Sequence, residues 1–253
     1  MVSDFSERLA AIDWSRAWLS LWRDRGEALA CDALALGLVQ ALNLAVTREI
    51  ALRAGPLRFV SHDALPVGEP YEAFIARTAC VPTRENTHDF FNGLAWLLFP
   101  ELKRRLNELQ AERIAASKPG GPRGAVRDAL TVFDENAALL RAPEVLVDAL
   151  RRRDWRDVFI THRAAWAEAR LQLFGHALIE KLLQPRKPIT AHVWLVADDD
   201  RRSLSACAAD SLTPQRLCAK PFMPLPVLGV PGWWPENEEN DFYDDTSVFR
   251  PAP

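Results

Sequence analysis

Three of the five histidines, His88, His176 and His192, stand where the surrounding pattern turns inward. The stretch that begins at Asn86 carries Phe90, Phe91, Leu94, Trp96, Leu97, Leu98 and Phe99 on every sector of a helical wheel, the mark of a buried helix. His88 and Asn92, four residues apart, therefore face packed protein, where a polar group without a partner costs about 1 to 3 kcal/mol. His176 and Glu180 repeat that spacing among Ala169, Leu173, Ala177 and Leu183. An inward imidazole and carboxylate at i, i+4 can hold a divalent cation, with ligands from a second helix completing the set. We expect His88, His176, His192 and Glu180 to converge on one Zn, Mn or Fe ion, with Asp89 or Asn92 behind them. An open coordination position there would support hydrolysis by activated water. Asp89 also has a plainer role, at the N3 position of a helix capped by Asn86. The competing expectation is a polar network that ties helices together, with neutral and fully hydrogen-bonded imidazoles.

Two further groups carry candidate chemistry. Asp134 and Glu135 lie on the polar side of a predicted helix over 123–141; they are solvated ion-pair formers unless a second layer covers them, in which case burial makes them acid or base candidates. Seven basic residues against two acidic ones lie between Lys103 and Arg127, and PGGPRG precedes a helix start. Arg123 and Arg127 with free helix N–H groups could hold a phosphate-containing ligand, against the simpler reading of an interhelical loop. The acidic residues of 198–253 would neutralise this basic surface.

The elements that must position these groups read as helical up to residue 185. Trp14, Trp18 and Trp22 at i, i+4, i+8 predict an amphipathic helix over 4–25, its indole face docked on the core. A second helix is expected over 27–52. Gly55, Pro56, Pro66, Gly68 and Pro70 break the pattern, and helices follow at 71–77, 86–99, 101–117, 123–141, 144–152 and 157–183. ITAHVWLVA predicts a short strand, and the proline- and aromatic-rich segment 221–253 an extended tail clamped over the body. The expected fold is a mostly α, bundle-like single domain over 1–253: an N-terminal helix pair to 54, a helical core to 185, and then the strand and wrapped tail.

A composition of 49% hydrophobic and 26% charged residues excludes disorder and collagen-like classes, and a formal charge of −3 provides no global attraction to nucleic acid or anionic membrane. Neither is an expected partner. The apolar run 28–46 carries Asp32, Gln40 and Asn43, which argues for a buried helix and not a membrane span. Four scattered cysteines and an N-terminus lacking the features of a secretory signal predict a cytoplasmic protein.

The stretches VPTRENTHDFFNGLAWLLFPELKRRLNELQA, RGAVRDALTVFDENAA, FGHALIEKLLQPRKPITAH, PLPVLGVPGWW and FYDDTSVFRP together resemble the bacterial Domain of Unknown Function 3025 family over most of residues 58–251. That resemblance implies membership and no activity, so it transfers no functional residue. The function expected from the residues is a metal-assisted hydrolase or related enzyme. The alternative is a noncatalytic binding or assembly factor that uses the tryptophan helix or the basic loop near Arg123.

Overall fold

Capping and breaking residues cut the N-terminal third into shorter pieces than its apolar periodicity predicts. The structure is a computed structural model and describes residues 4–116, 124–197, 202–219 and 221–252. α1 (Asp4–Ala10) stops well short of residue 25 because Asp13 accepts the Ser15 backbone N–H at 3.1 Å, a turn that competes with helix. Trp18 falls in a single 3-10 turn, and Trp22 caps α2 (Arg23–Leu36). The three indoles still reach the core, and Trp22 Nε1 donates to the Leu173 carbonyl at 3.1 Å. Gly37, at φ +83°, divides the helix expected over 27–52 into α2 and α3 (Leu38–Ala45).

A two-residue hairpin of β1 (Ala51–Leu52) and β2 (Gly55–Pro56) leads into β3 (Arg58–Ser61). That strand pairs in parallel with β4 (Cys80–Thr83) across α4 (Tyr71–Thr78). Asn86 then caps α5 (Thr87–Leu98) as expected, its Oδ1 accepting the Asp89 N–H at 2.7 Å. Pro100 opens α6 (Pro100–Ala115).

From residue 125 onward the expected bundle is overturned. α7 (Ala125–Asn136) gives way to β5 (Ala137–Arg141), which the sequence suggested as the last turn of a helix. After α8 (Glu144–Arg152), the single helix expected over 157–183 is replaced by a π turn (Asp157–Thr161), a 3-10 turn (Arg163–Ala167), β6 (Arg170–Leu173) and α9 (His176–Lys181). The strand expected in ITAHVWLVA is β7 (Thr190–Leu195), followed by α10 (Leu204–Ser211), α11 (Pro214–Cys218) and β8 (Met223–Pro226). The four strands form a mixed sheet in the order β6-β5-β7-β8, with β5 parallel to β7 and antiparallel to β6. The fold is α/β, neither mostly nor all α.

Every residue of β5 is buried, so the sheet is covered on both faces. Phe133 of α7 packs against Phe174 and Trp194, and the buried side chains form one contiguous cluster from Phe5 to Phe249. β8 pairs Pro224 with His192 and Pro226 with Thr190, and Val227 N–H donates to the Ile189 carbonyl at 2.9 Å. No helix among the described residues is long and apolar enough to cross a membrane.

The C-terminal segment wraps the body. Asn237 is fully buried, and its amide donates to the carbonyls of Leu228 and Val230 at 2.8 Å each. The Trp155 indole donates to the Arg250 carbonyl at 2.7 Å. Replacing Asn237 by Leu strands two buried carbonyls, and urea denaturation is expected to show a loss of about 1 to 3 kcal/mol. An unchanged midpoint would mean that the segment is not integral to the fold. Among the described residues, its acidic side chains pair with Arg156, Arg163 and Lys187.

Candidate metal centre

Three helices each deliver one side chain to a common point. The Asn86 cap sets the start of α5 and so places His88 in its first turn. α7 brings Glu135 to its last turn, and α9 opens with His176 directly after Gly175. That last apposition depends on glycine: a Cβ at Gly175 would lie 2.5 Å from both the Asn136 nitrogen and the Glu135 carbonyl oxygen. Gly175 N–H also donates to the Ala137 carbonyl at 2.9 Å, which pins the two segments together.

His88 Nε2 and His176 Nε2 lie 3.2 Å apart, and His176 Nε2 lies 3.9 Å from Glu135 Oε2. Ligand atoms of His88, Glu135 and His176 are all within 4.8 Å of one another, and no other such trio of His, Cys, Asp or Glu occurs among the described residues. Two nitrogens bound to one tetrahedral zinc at about 2.05 Å stand about 3.3 Å apart, so the imidazole spacing fits a shared ion.

Each imidazole is backed by a carboxylate. Glu180 Oε2 accepts from His88 Nδ1 at 3.0 Å, while its other oxygen accepts the Thr87 hydroxyl at 2.6 Å. Asp134 Oδ2 lies 3.8 Å from His176 Nδ1, a buried nitrogen with no hydrogen-bond partner among the described residues. Asp134 is held in turn by the Lys103 ammonium at 2.7 Å; Lys103 also donates to Asn92 Oδ1 at 2.8 Å, and Asn92 donates to the Tyr71 hydroxyl at 3.0 Å. A hydrogen-bonded carboxylate such as Glu180 orients a liganding imidazole and raises its basicity.

The two rings are electrostatically unequal. The hydrogen bond to Glu180 raises the pKa of His88, while burial lowers that of His176 to about 4. The 3.2 Å approach of the two Nε2 atoms admits one proton between them, donated by one ring and accepted by the other according to their tautomers. Burial would lift Asp134, but the Lys103 ammonium beside it holds it below the usual carboxylate range. Burial pushes Glu135 up, and the hydrogen bond from His88 pulls Glu180 down.

The expected four-residue convergence is thus altered. His192 sits on β7 opposite Ala137, 5.9 Å edge-on from the Phe222 ring, and does not join the other imidazoles. The pleat fixes its side chain on the Phe222 side of the sheet. Glu135 takes the third place, and Glu180 stands behind His88. Asn92 belongs to the chain that leads to Asp134, whereas Asp89 turns away to Arg84, accepting its N–H at 2.6 Å and its Nε–H at 3.0 Å. Arg123 and the PGGPRG loop lie outside the described residues, apart from Gly124. Arg127 lines a cavity of about 220 Å³ together with Asp134 and Glu135. The buried tryptophan face is core, so it offers no partner surface.

Lys103 and Tyr71 escaped the sequence reading. Lys103 was counted only among the basic residues of 103–127, yet it shares a helix face with Leu106, Asn107 and Gln110, at spacings of three, four and seven residues. That face also carries Phe99, which marks it as inward.

A family model described as Protein of unknown function (DUF3025) matches residues 57–252. The chain belongs to the DUF3025 family. No curated protein and no solved structure matches it. The DUF3025 match contains His88, Lys103, Glu135, His176 and Glu180, whereas the tryptophan-bearing turn precedes it.

Proposed function

We propose that this DUF3025 chain is a metal-dependent hydrolase in which His88, His176 and Glu135 hold one divalent transition metal. The observation that carries this reading is the pair of Nε2 atoms 3.2 Å apart, each ring backed by its own carboxylate. A bound Zn, Mn or Fe ion would supply a Lewis acid that brings the pKa of water toward neutrality. Glu180 and Asp134 act as positioning residues for His88 and His176, and Lys103 keeps Asp134 ionised. Glu135 also faces the adjoining cavity, so the ligand set opens onto a space where a substrate can enter. We place the protein in the cytoplasm, a reading supported by four cysteines that all remain free thiols.

Untagged protein stripped by a chelator and titrated with Co²⁺ is expected to bind about one equivalent, visible by absorption and accompanied by a rise in Tm. His176→Ala and Glu135→Gln should each abolish or strongly weaken uptake while still folding. Uptake that is absent from the wild type, or unchanged in His176→Ala, would refute the metal site. With metal bound, a panel of small amides and esters should show turnover that His176→Ala lacks; no turnover across the panel would refute the hydrolase assignment.

A further inference from the structure

The cavity beside the metal centre is walled by α4, α6 and α7, and the polar groups on its walls are unequally satisfied. Gln110 is only 6% exposed yet makes no hydrogen bond through its side chain among the described residues. Arg127, another residue of the cavity wall, has its Nε buried without a partner among the described residues. An unpaired buried guanidinium N–H is costly, and an oxyanion supplies an acceptor for the Arg127 guanidinium and for the uncommitted Gln110 amide. The other walls carry Glu72, Asp134 and Glu135. Glu72 commits one oxygen to Asn107 Nδ2 at 2.6 Å, which leaves the other for a ligand. Three carboxylates repel a dianion such as phosphate but tolerate a monoanion that brings its own positive charge. At about 220 Å³ the space equals on the order of seven waters, so the occupant is small.

We infer that this cavity is the substrate subsite for a small amino-acid derivative, its carboxylate bound by Arg127 and Gln110 and its ammonium by Glu72. The inference rests on the proposed hydrolase only for its orientation, which directs the scissile amide toward Glu135. Arg127 and Gln110 belong to substrate recognition and not to the ligand set, so the two readings can fail separately.

Isothermal titration of the metal-stripped 253-residue chain uses glycylglycine, N-acetylglycine and inorganic phosphate as probes. Glycylglycine is expected to bind saturably, and N-acetylglycine, lacking the ammonium, more weakly. Arg127→Gln and Gln110→Leu should each weaken glycylglycine binding about tenfold or more, the usual scale for a charge-assisted hydrogen bond. Both variants should take up Co²⁺ as the wild type does, and Glu72→Gln should erase the preference for glycylglycine over N-acetylglycine. Absence of glycylglycine binding, unchanged binding in both Arg127→Gln and Gln110→Leu, or tighter binding of phosphate would overturn the subsite. Glycylglycine binding that persists in a wild type unable to hold Co²⁺ would uphold the subsite and remove the metal reading alone.

Discussion

Gly175→Ala is expected to abolish Co²⁺ uptake and to lower stability by about 1 to 3 kcal/mol, the range for overpacking a tight contact. The backbone at Gly175, φ −60° and ψ 117°, is open to any residue, so the effect is purely steric. The added methyl would meet the Asn136 nitrogen, the Glu135 carbonyl and the Asn136 Cα at 2.5 to 2.6 Å, and these are main-chain atoms that no rotamer change can move. Relief requires α9 to back away from the end of α7, which carries His176 away from both Asp134 and Glu135. Metal affinity and stability should therefore fall together in parallel cobalt titrations and chemical denaturation. A variant that retains wild-type values in both would show that the α7–α9 junction can shift without cost.

Lys103→Met is expected to be the more damaging to stability, at about 3 to 5 kcal/mol, because it keeps an apolar stem but strands a buried carboxylate. The Lys103 side chain is 5% exposed, and its ammonium contacts Asp134 and Asn92, with the Trp96 ring 5.4 Å away. Removing the charge from the partner tests the cause: Asp134→Asn introduced into Lys103→Met should recover part of the loss. A double-mutant cycle by urea denaturation measures that coupling. Strictly additive losses would mean that Lys103 matters as filler and not as a counterion.

The parts of the site that could be read from residues alone are those set by local rules. Asn86 and the apolar wheel behind it placed α5, and with it His88 and Asn92, because capping and amphipathicity act within a few residues. The region around His176 was misread for the opposite reason. AALLR consists of good helix formers, and a strand buried on both faces shows no alternation, so β5 looks like a continuation of α7. β6 is likewise RLQL, whose strand conformation comes from pairing with β5. His176 was thus placed inside a long helix when it starts a short one. Glu135 was named as a candidate only on condition of burial, since a layer supplied by distant segments leaves no local signature. His192 lies outside the trio because its strand places it against the Phe222 ring, and a strand position read as inward does not say which neighbour the side chain meets.

The pairing of β8 has a consequence for how molecules meet one another. Since Val227 points its N–H inward to Ile189, the alternation of the strand points positions 224 and 226 outward, and both are proline. The rim of the sheet therefore presents no N–H donors at those two positions to an approaching strand. Crowded together, copies of this protein lack a template there for the continuous β-ribbons through which unprotected sheets aggregate.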